Sequence, residues 1–230
     1  IPLRYYPDRW PDLEPGHRLT DSQIEELDAG RLLACRFVDE LLAQIERMSA
    51  RWGAVHGDLN WQGVLNLAFQ LRGQQIFLDM ADRPELASRL FAVIADVIIR
   101  LGRLVQGRQR RSGFGIDYMC VSNCTVNMVS PASYGRMLLE HDARIAESFG
   151  RFGVHTCNWN VTPYLGVLGG LPKMGYLDMG MESNLARARE KFPDTRRAVL
   201  YTPGRAATAG PEEIRADLER IWRELAPCDI

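Results

Sequence analysis

The chain has 230 residues, 46% hydrophobic and 25% charged, with a formal net charge of −1. That is enough apolar content for a substantial core in one domain or a large part of one, and too much for disorder. The balanced charge leaves no footprint for nucleic acid, since Arg108-Gln109-Arg110-Arg111 is an isolated cluster that reads as a solvated loop. No apolar span of about 20 residues and no signal-type core is visible, so a soluble, cytoplasmic protein without a membrane partner is expected.

In chain order, residues 1 to 20 carry four prolines with aromatics between them and read as an irregular lead-in. Thr20-Asp21-Ser22 caps a long amphipathic stretch running from Ile24 to Met48, with Cys35 on its apolar stripe as a small core residue. Gly53 to Asp58 reads as a short strand, followed by a helix from Trp61 to Leu71 closed by Arg72-Gly73. Phe77 to Met80 then make a turn, and Asp82-Arg83-Pro84-Glu85 opens a helix running through Leu104, with a loop from Gly107 to Gly115 after it.

Ile116 to Val121 is apolar enough for a central strand, with Ser122-Asn123-Cys124 beyond it. Ser130-Pro131 opens a helix reaching about Phe149, in which His141 lies between Glu140 and Asp142 on a solvated face. Phe152 to Val154 lead into His155-Thr156-Cys157, and Thr162-Pro163 starts a short helix. Met174 to Gly180 form another strand, Ser183 to Lys191 a helix, and Arg197 to Gly204 repeat the pattern. The last helix opens at Pro211 and shows Ile214, Leu218, Ile221, Trp222 and Leu225 as one face. Cys228 then begins a further strand.

Strands alternating with helices, with polar residues at each strand's exit, indicate an α/β fold with a parallel sheet. No glycine-rich dinucleotide loop follows a strand, which favours a (β/α)8 TIM barrel over a doubly wound sheet. The chain begins at Ile1 and stops as a strand begins, so the expectation is one barrel domain over residues 1–230, lacking about two strands before Ile1 and the body of its last strand.

The chemistry centres on His155-Thr156-Cys157. Residues i and i+2 of a strand share a face, so an imidazole and a thiol would point together, a donor pair that suits zinc but needs a third protein ligand. The alternative is a core histidine beside a buried cysteine. The five cysteines are odd in number and widely spaced, which suits reduced thiols, and Cys120 and Cys124 stand in reserve as ligands. A barrel would bring strand exits to one mouth, so His56 and Asp178 are expected to converge on His155 as catalytic groups, with Asp58, Asn60 and Tyr201 as contacts to a small-molecule substrate. Asp58 or Asn60 as a mere helix cap is the competing reading.

Several fragments follow one another in an order that resembles the uroporphyrinogen decarboxylase superfamily. They are the Gly57 loop leading to Leu71-Arg72-Gly73, then Asp82-Arg83-Pro84-Glu85-Leu86, Ser130-Pro131, His155-Thr156-Cys157, Tyr176-Leu177-Asp178 and Gly210-Pro211-Glu212-Glu213-Ile214. The resemblance implies a TIM barrel and, through the histidine-x-cysteine pair, the zinc site of the corrinoid-dependent methyltransferases. There zinc holds an acceptor thiol as thiolate, and the methyl group comes from a methyl-corrinoid, which can be carried by a partner corrinoid protein. His155 and Cys157 match two ligands. Cys228 lies at a plausible distance but begins its strand, so the third ligand is expected beyond Ile230.

Two features depart from the family pattern. Asn158 and Trp159 stand where glycine usually follows, and the decarboxylases' aspartate after the Ile116–Val121 strand is replaced by Ser122-Asn123-Cys124. The readings carried forward are a zinc-dependent methyltransferase, a metal-free lyase acting on a tetrapyrrole or other carboxylate, and a non-catalytic corrinoid-binding barrel.

Overall fold

The computed structural model describes residues 3–8, 12–13, 17–57 and 59–230. A small antiparallel pair, β1 (Leu3–Arg4) and β2 (Asp12–Leu13), precedes the main body. The main sheet is parallel and contains β3 (Trp61–Gln62), β4 (Tyr118–Ser122), β5 (Arg151–His155), β6 (Met174–Gly180) and β7 (Arg196–Leu200), side by side in that order. A doubly wound sheet would reverse its strand order at a switch point. Here the order follows the chain without reversal, as in an arc of a barrel. Asp229 continues the arc beyond β7 through a parallel bridge to Ala198, in line with the strand expected to begin at Cys228. Among the described residues β3 stands at one edge, and no closed ring is formed.

One face of the sheet is apolar and covered. Met119, Val121, Phe152, Val154, Leu177, Met179 and Val199 are all at most 1% exposed. Against β4 lies α6 (Pro84–Arg111), whose buried Ala87, Leu90, Phe91, Ile94, Ala95, Ile98, Gly102 and Val105 recur every three or four residues along one stripe. At Gly102 a β-carbon would come within 2.6 Å of Met119 Cε and 3.0 Å of Phe149 Cζ, so this helix lies close against β4 and a larger residue would have to push these side chains aside. The opposite face carries Tyr118, Cys120, Ser122, Gly153, His155, Tyr176 and Asp178 in register, and it leads to the site.

The helix expected from Ile24 to Met48 is three helices, α1 (Asp21–Glu25), α2 (Ala29–Leu33) and α3 (Arg36–Trp52). Asp28 interrupts it by accepting from Arg31 N at 2.8 Å as an N-cap, and Cys35 takes an extended conformation before α3. Cys35 is therefore exposed at a helix start and not a core residue. Thr20 does cap α1, in a reciprocal box with Gln23.

The strand expected over Gly53–Asp58 begins instead at Trp61, and the helix after it, α4 (Val64–Arg72), starts three residues later than expected. Phe77 to Met80 lie inside α5 (Gln75–Asp82), where a buried carboxylate, Asp79, bonds Arg72 at 2.9 Å and Gln75 at 3.0 Å and also meets Arg83. Arg72 and Arg83 both reach Asp21 as well. The Leu71-Arg72-Gly73 and Asp82-Arg83-Pro84 fragments thus form one ion-pair network that ties α1, α4, α5 and α6 together. The Arg108 cluster is the end of α6 and not a loop. Residues 131–147 form α7 (Pro131–Met137) and α8 (Leu139–Glu147), broken at the buried Leu138. His141, expected on a solvated face, is 3% exposed, with its ring edge-on to Phe91.

Short helices α9 (Leu165–Leu168), α10 (Leu185–Lys191) and α11 (Pro203–Thr208) follow β5, β6 and β7, and α12 (Pro211–Leu225) packs on α10. Ile221 and Leu225 make its buried contacts, while Trp222 is exposed.

Candidate metal centre

Strands β4, β5 and β6 end side by side, so the residues just past them meet at the carboxyl edge of the sheet. Asn123 N donates to His155 O at 2.7 Å, which ties the chain leaving β4 to the last residue of β5. The next residue, Cys124, opens a 3-10 turn spanning Cys124–Met128. Its sulfur lies 2.8 Å from Cys157 Sγ, and Cys157 Sγ lies 3.1 Å from His155 Nε2. The ligand atoms of Cys124, His155 and Cys157 all fall within 4.8 Å of one another.

Such a cluster has the dimensions of a zinc site. Ligands about 2.0 to 2.3 Å from the ion at tetrahedral angles sit roughly 3.5 Å apart, so the two sulfurs and the imidazole would spread by less than an ångström to take it. Two thiols and one imidazole suit zinc chemically, and three protein donors leave a fourth position open.

His155 and Cys157 converge, though not as two residues on one strand face. The strand stops at His155, and Cys157 sits in a turn at φ 60°, in the left-handed region. A non-glycine residue there costs about 1 to 3 kcal/mol, a cost typical of functional turns. The intervening Thr156 is fully buried and anchors the turn: its N donates to Asp178 Oδ1 at 2.6 Å and its hydroxyl to Asp178 O at 2.7 Å. Beyond Cys157 the loop presses on β6, because a β-carbon at Gly180 would lie 1.8 Å from Asn158 O.

Asp178, 1% exposed, also bonds His155 Nδ1, and Tyr176 Oη donates to its Oδ2 at 3.3 Å. The Asp178 bond raises the His155 pKa, against a smaller opposing effect of burial. It also takes up Nδ1, leaving Nε2 toward the cysteines. Cys157 is pushed up to about 12, first by burial and then by the neighbouring Cys124 sulfur and the Asp178 charge. A bare thiolate is therefore disfavoured here, and a cation is the natural counter-charge.

The other expected site residues divide. Asn60 is brought close, accepting from Ser122 Oγ at 3.3 Å, and Ser122 pairs with His155 across the sheet. Tyr201 Oη donates to Asp217 Oδ2 at 2.9 Å, beside a cavity of about 600 Å³ that Asn158, Thr202, Arg205, Asp217 and Arg220 line. His56 does not join His155 and Asp178. It is exposed, with its ring tilted against Phe114 at 4.5 Å between centroids, on the amino side of β4, because the strand expected to end beside it starts five residues later. Asp58 lies outside the described residues. The third donor is Cys124, held in reserve from the sequence, and Cys120 is not part of the group.

No family model matches the sequence, and no curated protein matches it. Among solved structures the chain resembles a methyltransferase from Methanosarcina mazei with a TM-score of 0.73 at 14% identity, over 99% of this chain and 68% of that one. The likeness is one of fold, and it extends over nearly all of the arc described above. Among the described residues no helix is long and apolar enough to cross a membrane.

Proposed function

We propose that the protein is a methyltransferase of the uroporphyrinogen decarboxylase superfamily, in which Cys124, His155 and Cys157 hold a zinc ion and the methyl group passes from a methyl-corrinoid to a substrate thiol. The observation that carries this reading is the convergence of two sulfurs and an imidazole nitrogen at the exits of two adjacent parallel strands. The structural likeness to a methyltransferase supports it at the level of fold.

Zinc bound there would supply the positive charge that keeps a substrate thiol deprotonated near neutral pH, the form in which sulfur is a nucleophile. The chain's own groups prepare the site. Asp178 holds the His155 tautomer that leaves Nε2 free, and Thr156, through both its bonds to Asp178, fixes the turn that presents Cys157. Asp178 is fully committed to these partners, so its role is that of a positioning residue and not of a proton donor to substrate. A lyase that relied on it as a free acid finds less support. Asn60, bonded to Ser122 next to His155, would contact the bound substrate.

The test is metal analysis of freshly purified protein together with methyl transfer from free methylcobalamin to thiols. One equivalent of zinc is expected, with loss of metal and of transfer in Cys157→Ser and in Cys124→Ser. A protein that binds no zinc when zinc is supplied overturns the assignment.

A further inference from the structure

Joined to the metal centre through Asn123 lies a second polar group that the proposed chemistry does not use. Asp142 on α8 is 1% exposed, and among the described residues no cation pairs with it. Its Oδ2 accepts from Asn123 Nδ2 at 2.8 Å and from Tyr134 Oη at 2.7 Å, while its Oδ1 and Asn123 Oδ1 have no hydrogen-bond partner. Tyr134 and Asn123 are themselves at most 2% exposed.

Such a group does not pay its way in stability. An unpaired carboxylate in the interior is costly, and each buried polar atom without a partner adds to that cost. What the carboxylate does accomplish is local: it fixes the side chain of Asn123, the residue immediately before Cys124. Asn123 is held on its other side through its backbone N–H to His155 O. Its amide also sits in a space open only because residue 63 is glycine, since a β-carbon there would lie 1.8 Å from Asn123 Oδ1. The side chain is therefore gripped by α8, the backbone by β5, and Cys124 is carried by the residue so gripped.

We propose that Asp142 is a positioning residue for the metal centre, acting through Asn123 to hold Cys124 within reach of His155 and Cys157. The inference rests on the zinc reading above and adds to it a support for the third ligand. Removal of outer partners of metal ligands lowers affinity by about 10- to 100-fold.

The experiment measures zinc affinity by competition with a chromophoric chelator, and the absorption of the cobalt(II)-substituted protein, for full-length variants. Asp142→Leu and Asn123→Ala should each weaken zinc by about 10- to 100-fold and change the cobalt–thiolate bands. Asp142→Asn keeps an acceptor for Asn123 and should restore both readouts. Tyr134→Phe removes the other donor to the same carboxylate, and it should cost far less affinity. Asn123→Ala keeps the test decisive where Asp142→Leu fails to fold, because it leaves the Asp142–Tyr134 bond in place. If Asn123→Ala binds zinc as the unmutated protein does, or if Tyr134→Phe loses as much affinity as Asn123→Ala, the positioning role is wrong while the zinc reading stands. If the unmutated protein binds no zinc, both are wrong.

Discussion

Replacing Asp142 by asparagine removes a charge from the interior while keeping the shape of the side chain and an acceptor for Tyr134 and Asn123. Burial pushes the Asp142 carboxyl up to about 6 from its ordinary 3.8, against the lowering effect of its two hydrogen bonds. A folded state that holds the proton more tightly than the unfolded state gains stability at low pH and loses it as pH rises through the folded value. The gain is complete below about 4 and gone above about 6. A shift of about two units corresponds to a penalty of about 3 kcal/mol at pH 8, of which about half is already relieved at pH 5. Asp142→Asn should escape that penalty, less about 1 kcal/mol where its new N–H finds no acceptor. Urea unfolding of the metal-free protein should therefore show the variant more stable by about 2 kcal/mol at pH 8 and by clearly less at pH 5. At about 2 to 4 °C per kcal/mol for a chain this size, melting at pH 8 should rise by several degrees. Equal gains at both pH values, or destabilisation at pH 8, would refute the reasoning. A variant that is more stable yet binds zinc no better would separate the cost of the carboxylate from its effect on Cys124.

Other outcomes follow from the same geometry. Asp178→Ala frees His155 Nδ1 and strips Thr156 N of its acceptor, so zinc affinity should fall by about 10- to 100-fold in a chelator competition. In the metal-free protein the same change should lower the His155 pKa, read by NMR titration, since the Asp178 bond is the main cause of its rise. Gly180→Ala drives a β-carbon into the Asn158 carbonyl, and it should displace the Cys157 turn, with loss of zinc seen by metal analysis. Asp79→Ala leaves the 8% exposed Arg72 without its buried partner, although Arg72 keeps Asp21 and the Leu19 carbonyl. It should cost about 1.5 to 3 kcal/mol in urea unfolding without acting through the metal centre, for which removal of zinc should leave the deficit unchanged.

Where each strand is apolar and bounded by turn residues, the sequence states it plainly. Met174–Gly180 is such a case, and the alternation of strands with helices implies a parallel sheet, whereas its one-way winding becomes visible only in the structure. The amino-terminal third is less legible because its punctuation is polar and subtle. One aspartate at position 28 ends a helical period that otherwise looks continuous, and the two-residue strand at Trp61–Gln62 is too short to impose any period. Asp79 misleads in another way: a carboxylate in an apolar stretch reads as a turn until Arg72 and Arg83, one on each side of it in the chain, are seen to fold back onto it.

The metal centre shows what pattern can and cannot supply. Two donors separated by one residue were visible as a pair, but the expected strand face is not what joins them. Thr156 is turned inward to Asp178, and Cys157 takes a left-handed conformation that no spacing rule announces. Cys124 is harder to choose from the sequence, since Cys120 lies only four residues before it and both are thiols. The difference is position along the strand: Cys120 lies inside β4, level with Gly153, whereas Cys124 lies beyond the exit, level with the residues that follow His155. A ligand to this open site must come from the last residue of a strand, as His155 does, or from beyond it, where the side chain reaches past the edge of the sheet. By that criterion Cys124 takes precedence over Cys120, and also over a cysteine that begins its strand, as Cys228 does. The expected ligand beyond Ile230 is then not needed for a three-donor site, because Cys124, His155 and Cys157 already supply one.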